Sequence, residues 1–263
     1  MSKAFQTAFQ KAKSKGKPAF MPFLVAGDPN YETSLNLFKA IAPHADMLEI
    51  GFPYSDPLAD GPTIQAADER ALHSGINTDK VFSLISEIRS FYNGPISVLV
   101  YANLVYQYGI DAFYKQAAKS GIDGVLVPDV PYEESEPFVI AAKKHNVSPI
   151  FMVTQTTTGE RLKKILKNAE GYLYLVSVLG VTGSCNSLGN DTFDFIKKIR
   201  KNTSLPLALG FAISTKEHIA NAAKAGIDGV IVGSAIIKIL EANLAYPKMA
   251  EKKVEAYIKE LTA

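Results

Sequence analysis

"AAKSGIDGVLV" occupies residues 117–127, and "AAKAGIDGVIV" repeats it at 222–232, an offset of 105 residues. Each copy reads as a helix end, a glycine stop, an Asp-Gly step and a β-branched strand. Helix–Gly–strand junctions resemble one another through shared physics, so the echo argues for regular architecture and does not prove duplication. If it links strands four units apart, each βα unit takes about 26 residues, a plausible size for a barrel.

Outward from this pair, short apolar runs alternate with longer helical patterns. Strands are predicted at 19–27, 46–52, 95–103, 123–129, 148–154, 171–177, 205–211 and 228–233. Their apolarity is continuous rather than alternating, which marks parallel strands buried on both faces. Eight such units predict an α/β fold, a single (β/α)8 TIM barrel over residues 1–263. The opening segment "MSKAFQTAFQKAKSKGK" is basic and amphipathic, with Phe5 and Phe9 one helical turn apart. It predicts an extra leading helix packed on the barrel. The tail "PKMAEKKVEAYIKELTA" predicts a last amphipathic helix with Pro247 near its start.

Composition narrows the function. The formal net charge is +2, which argues against nucleic-acid binding as the main role. The one cysteine, Cys185, permits no intrachain disulfide, so a reducing, cytoplasmic setting is expected. No apolar run reaches the ~18 residues of a membrane span, and none is expected.

In a barrel of this kind, chemistry sits at the carboxyl ends of the strands. Glu49 lies in the apolar second strand, and desolvation there would suit it to proton transfer near neutral pH. A structural buried glutamate is the alternative. The segment after it, "PYSDPLADGP" (53–62), is stiffened by Pro53, Pro57 and Pro62 and carries Asp56 and Asp60. Either aspartate alone reads as a turn former. "GVTGS" (180–184), "LGFAIS" (209–214) and "VGSAI" (232–236) put small residues after strands six to eight, where this fold binds phosphate. His44, His73, His145 and His218 lie away from the strand ends, so no metal site is expected. No lysine stands at a strand carboxyl end. What remains is acid–base catalysis by carboxylates on a small phosphorylated substrate, without a cofactor.

"LEIGFPYSDPLADGPTIQ" (48–65) closely resembles the signature of the tryptophan synthase alpha subunit family. The resemblance continues through "PFLVAGDP", "YANLVYQYGIDAFY", "PDVPYEES", "GVTG", "GFAIS" and "VGSAIIKI". It implies retro-aldol cleavage of indole-3-glycerol phosphate to indole and glyceraldehyde 3-phosphate. The family's catalytic glutamate matches Glu49, which would protonate indole C3 and take the proton of the glycerol 3′-hydroxyl. Its catalytic aspartate matches Asp60, which would accept the indole N–H; Asp56 is left as a loop residue. Substrate contacts map onto Phe23, Leu99, Tyr101, Tyr174, Thr182 and Phe211, and phosphate contacts onto Gly183, Ala212, Gly233 and Ser234. Ala212 stands where the family usually has glycine, and Thr154 and Gln155 stand where many relatives carry Ala-Pro.

The resemblance also implies a beta subunit as partner, in an α2β2 assembly, with pyridoxal phosphate held by that partner alone. The segments Pro53–Asp60 and Tyr101–Asn103 are its expected contact surface, and the 180–190 segment is expected to close over substrate. A stand-alone lyase, a catalytically weak activator of the beta subunit and another phosphosugar-binding barrel are the alternatives.

Overall fold

The computed structural model describes residues 3–176, 190–210 and 213–263. Its eight strands are β1 (Ala19–Val25), β2 (Leu48–Gly51), β3 (Ile96–Leu99), β4 (Gly124–Leu126), β5 (Ser148–Thr154), β6 (Leu173–Val176), β7 (Leu207–Gly210) and β8 (Gly229–Val232). All neighbours pair in parallel, and β8 returns to β1 to close the barrel. The helices, in chain order, are α1 (Lys3–Ser14), α2 (Tyr31–Ile41), α3 (Pro62–His73), α4 (Thr78–Arg89), α5 (Ala102–Tyr108), α6 (Ile110–Ser120), α7 (Glu136–Lys144), α8 (Gly159–Asn168), α9 (Asn190–Arg200), α10 (Lys216–Lys224), α11 (Ser234–Glu241) and α12 (Pro247–Thr262).

The echo has a mechanical meaning. Gly121 and Gly226 end their helices in the left-handed region, with φ of +87° and +83°. Asp123 then accepts the Ile96 amide at 2.9 Å, and Asp228 accepts the Leu207 amide at 2.9 Å. Each carboxylate also holds an arginine from the helix before the partner strand, Arg89 of α4 for Asp123 and Arg200 of α9 for Asp228. Those arginines reach back to helix-stop carbonyls, Arg89 to Gly121 and Arg200 to Gly226. One sequence pattern thus clamps β4 to β3 and β8 to β7. The glycines that follow leave room for the leading helix: a Cβ at Gly124 would meet Phe5, and one at Gly229 would meet Phe9.

The leading helix closes the floor of the barrel. Phe5 and Phe9 are buried, and both rings meet Tyr172 edge-on, with centroids at 5.5 and 6.0 Å. Such pairs favour edge-to-face geometry because ring edge and face carry opposite partial charge.

The third strand is shorter than its apolar run predicts. It ends at Leu99, and Ala102 and Asn103, expected in the strand, open α5 instead. The Asp129 carboxylate accepts the Ala102 amide at 2.9 Å, satisfying a donor at that helix start.

Candidate active site

Parallel register decides what faces inward. Phe23 is paired with Glu49, Glu49 with Ser97, and Ser97 with Gly124, so these residues form one layer of the barrel interior. One step up each strand, the next inward residues are Gly51, Leu99 and Leu126. Tyr174 occupies the corresponding inward position on β6, paired with Ala208.

Glu49 is fully buried. The Tyr172 hydroxyl donates to its Oε1 at 3.2 Å and lies 3.0 Å from Ser97 Oγ. The other carboxylate oxygen, Oε2, has no hydrogen-bond partner among the described residues. Burial pushes the Glu49 pKa up to about 8; the Tyr172 hydrogen bond lowers it and the charge of Asp60 raises it. The group is therefore largely a neutral acid at pH 7, with a carboxyl oxygen free to carry and transfer a proton.

Asp60 stands at the end of the loop that follows β2. Its amide is held by the Pro57 carbonyl at 3.0 Å, and its own carbonyl accepts the Gln65 side-chain amide at 2.7 Å. The Tyr101 hydroxyl donates to Asp60 Oδ2 at 2.7 Å and accepts the Ala59 amide at 3.0 Å. Burial raises the Asp60 pKa, and the Tyr101 bond opposes the rise. Asp56 is exposed, and its carboxylate takes a local hydrogen bond from the Ser55 hydroxyl at 2.6 Å.

A cavity of about 310 Å³ opens above this layer. Phe23, Asp60, Leu99, Tyr174, Gly233 and Ser234 line it, six of the residues expected at the site. Gly233 and Gly51 are small because Phe23 lies across both: a Cβ at either would come within 3 Å of its ring. Ser234 is the first residue of α11, so that helix presents its amino end to the cavity, a setting that favours an anion. Glu49 is not on the wall but in the layer beneath. Tyr101, expected as a substrate contact, does not line the cavity either. Its ring is buried under Tyr54, and its hydroxyl is committed to the Asp60 loop. Thr182, Gly183, Phe211 and Ala212 lie outside the described residues.

Several site residues escaped the sequence reading. Met152, Ile64 and Ile213 add apolar wall. Lys238 also lines the cavity, so a lysine does reach the mouth, although from a helix and not from a strand end. Its signal was the four-residue step from Ser234, which puts both on one helical face. Tyr172 and Ser97 were legible in principle as the inward residues two positions before Tyr174 and Leu99.

A second cavity, about 360 Å³, opens on the flank between α7 and α8 over Phe151. It contains neither Glu49 nor Asp60. The altered segment after β5 borders it, where Thr154 Oγ1 lies 2.8 Å from Thr156 Oγ1 and Thr158 caps α8. The four histidines lie on helices or helix-to-strand turns, and among the described residues no three His, Cys, Asp or Glu side chains are grouped to hold a metal ion. No helix among them is long and apolar enough to cross a membrane.

Comparison with known proteins agrees with this geometry. The family model described as tryptophan synthase alpha chain matches residues 9–263. The tryptophan synthase alpha chain of Methanoregula boonei is 49% identical over 245 residues, covering 93% of this chain and 92% of that one. The alpha chain of Helicobacter pylori is 41% identical over 256 residues, covering 97% of each. A Pyrococcus furiosus chain, solved to explain mutual activation in the tryptophan synthase α2β2 complex, superposes with a TM-score of 0.88 at 33% identity, covering 93% of this chain and 98% of that one. A barrel with a buried Glu49 beneath a cavity rimmed by Asp60, matched along nearly its whole length by these relatives, belongs to the tryptophan synthase alpha chain family.

Proposed function

We propose that this chain works as one barrel domain that splits indole-3-glycerol phosphate into indole and glyceraldehyde 3-phosphate, with Glu49 as proton carrier and Asp60 as ring-charge stabiliser. Neutral Glu49 gives its proton to indole C3, which makes the ring an electron acceptor. The resulting carboxylate takes the proton from the hydroxyl on the carbon bonded to the ring. The carbon–carbon bond breaks, its electron pair returns to the ring, and the aldehyde forms. Glu49 ends as it began, a neutral acid, so protons balance.

Asp60 accepts the indole N–H while positive charge grows on the ring, at a rim position where a fixed carboxylate acts with little reorganisation. Phe23, Leu99 and Tyr174 offer apolar and aromatic walls to a flat ring. Gly233 and Ser234 at the start of α11 take the phosphate, together with Gly183 and Ala212. Thr182 and Phe211 complete the substrate contacts, and Tyr101 acts by holding Asp60. No step needs a cofactor in this chain, because the protonated ring is itself the electron sink.

One observation carries this reading: a fully buried glutamate keeps an unpartnered oxygen in the layer below a cavity that Asp60 rims. The partner is a beta chain in an α2β2 assembly, as in the Pyrococcus furiosus complex. Pyridoxal phosphate belongs to that beta chain, and both chains work in the cytoplasm. Exposed Leu58 in the Pro53–Asp60 loop and exposed Tyr106 on α5 place apolar surface beside the expected contact segments. The test is glyceraldehyde 3-phosphate release from the substrate, by the chain alone and with a beta chain. Release that rises with the beta chain supports the reading; no release in either case defeats it.

A further inference from the structure

The layer that holds Glu49 also holds a hydroxyl that the reaction above leaves unused. Ser97 is fully buried and stands beside Glu49 in the parallel register of β2 and β3. Its Oγ lies 3.0 Å from the Tyr172 hydroxyl and 3.4 Å from the Leu48 carbonyl. The Tyr172 hydroxyl in turn lies 3.2 Å from Glu49 Oε1. A buried row thus runs from the Leu48 carbonyl through Ser97 and Tyr172 to Glu49.

A phenol has a single proton to donate, and two acceptors stand within its reach, Glu49 Oε1 and Ser97 Oγ. The charge of Glu49 decides between them. A carboxylate only accepts, so against ionised Glu49 the phenol proton goes to Oε1, and the phenol oxygen accepts the Ser97 proton at 3.0 Å. Ser97 gives up little by this, because the Leu48 carbonyl at 3.4 Å is distant for an O–H···O bond. Against neutral Glu49 the row can also run in reverse, Tyr172 donating to Ser97 and Ser97 to Leu48. Hydrogen bonds in a row polarise one another, so the forward order strengthens the Tyr172 bond to the carboxylate. We propose that Ser97 is a positioning residue for the proton carrier: by donating to Tyr172 it aims the phenol proton at Glu49 and steadies the carboxylate left when the Glu49 proton has gone to substrate. The proposal rests on the role given to Glu49 above.

The surroundings leave this row as the adjustable part. The titratable groups that face Glu49 are Tyr172, Tyr174 of β6 and Asp60 of the loop after β2. Burial holds both tyrosines well above the ordinary phenol range, so they stay neutral where Glu49 titrates. The charge of Asp60 raises the Glu49 pKa and is common to wild type and Ser97 variants. The residues that the other elements bring to or beside this layer, Phe5, Phe23, Gly124, Ser148 and Ala208, carry no titratable group.

The test reads the acid itself as well as turnover. The full chain is labelled with carbon-13 at its glutamate carboxyls, and the Glu49 signal is identified by its loss in Glu49→Gln. That signal is titrated in wild type, Ser97→Ala, Tyr172→Phe and the double variant. Ser97→Ala is expected to lower the Glu49 acid dissociation constant at least about threefold, and Tyr172→Phe to lower it further. In the Tyr172→Phe background, Ser97→Ala is expected to change it by less than about 1.5-fold, because the serine acts through the phenol. With a beta chain, the alkaline limb of the Ser97→Ala pH–kcat profile is expected at higher pH, with KM within about twofold of wild type. An unmoved Glu49 titration in Ser97→Ala, or a Ser97→Ala effect that persists in full without the Tyr172 hydroxyl, overturns the proposal. Should Ser97→Ala not fold, Ser97→Cys, a much weaker donor at the same place, is read instead with the same direction expected. A wild type that cleaves no substrate, with the titration shifts present, would instead strike down the reading of Glu49 on which this one stands.

Discussion

The Tyr172 hydroxyl donates to Glu49 Oε1 at 3.2 Å, from a residue that is itself sealed by Phe5 and Phe9 of the leading helix. Among the described residues it is the one hydrogen bond on that carboxyl, and the other oxygen has no partner among them. The acid strength of Glu49 is therefore set by burial, with the charge of Asp60 beside it, against the Tyr172 donor.

Removing that donor has a definite sign. Tyr172→Phe takes away the interaction that lowers the Glu49 pKa, so the pKa should climb above about 8. The alkaline limb of the pH–kcat profile is expected to move to higher pH, and kcat at pH 7 to fall about three- to tenfold as the acid weakens. A limb that moves to lower pH would contradict this.

Stability should depend on pH through the same group. The Glu49 pKa is raised in the folded chain, from 4.5 to about 8. Its contribution is fully present below the unfolded value and is lost as pH rises through the folded one. Glu49→Gln removes this dependence. Its stability relative to wild type should therefore grow between pH 4.5 and 8 and then level off, by an amount on the order of a few kcal/mol. Urea unfolding of both proteins at several pH values checks this, and a pH-independent difference would refute it.

Tyr101→Phe should separate positioning from binding. It deletes the donor to Asp60 Oδ2 and the acceptor of the Ala59 amide together. Hydrogen bonds to charged groups are worth about 1.5–3 kcal/mol, so kcat/KM is expected to fall about ten- to hundredfold. Melting temperature should fall by only a few degrees, at about 2–4 °C per kcal/mol lost. A loss confined to KM would instead make Tyr101 a direct substrate contact.

The two clamps behind the echo should behave as equals. Asp123→Ala and Asp228→Ala each strand a strand amide and a partly buried arginine. Each is expected to cost about 1–3 kcal/mol in urea unfolding and to leave kcat unchanged. The pairs lie far apart in the barrel, so the double variant should add the two costs. Clearly unequal effects would show that the echo is sequence likeness without shared mechanics.

What the sequence discloses and what it conceals follow from the range of the interactions. Strand after strand is announced by local apolarity, and the inward face of Glu49 follows from its period with Met47 and Gly51. The third strand overruns because "VYANLVY" stays apolar across the start of α5, and periodicity does not separate a buried strand from a buried helix. Tyr172 and Ser97 were missed because they meet Glu49 only through barrel closure, Tyr172 being 123 residues from Glu49 in sequence. The Asp28–Arg70 pair and the burial of Asp68 are likewise long-range. "ADERALH" reads as a polar helix face until α3 is set against β1 and α11. The stacking of Tyr101 on Tyr54 is long-range too, since it depends on how two loops fold together.

The central claim is that Glu49 carries the proton. The most direct measurement is the kcat of glyceraldehyde 3-phosphate release by wild type and Glu49→Gln, each with a beta chain, alongside substrate affinity. Glu49→Gln is expected to retain substrate affinity within about tenfold and to lose at least about a thousandfold in kcat, because proton transfer is removed while the packing remains. A folded Glu49→Gln protein that still turns over within tenfold of wild type would contradict it, leaving Glu49 a structural acid.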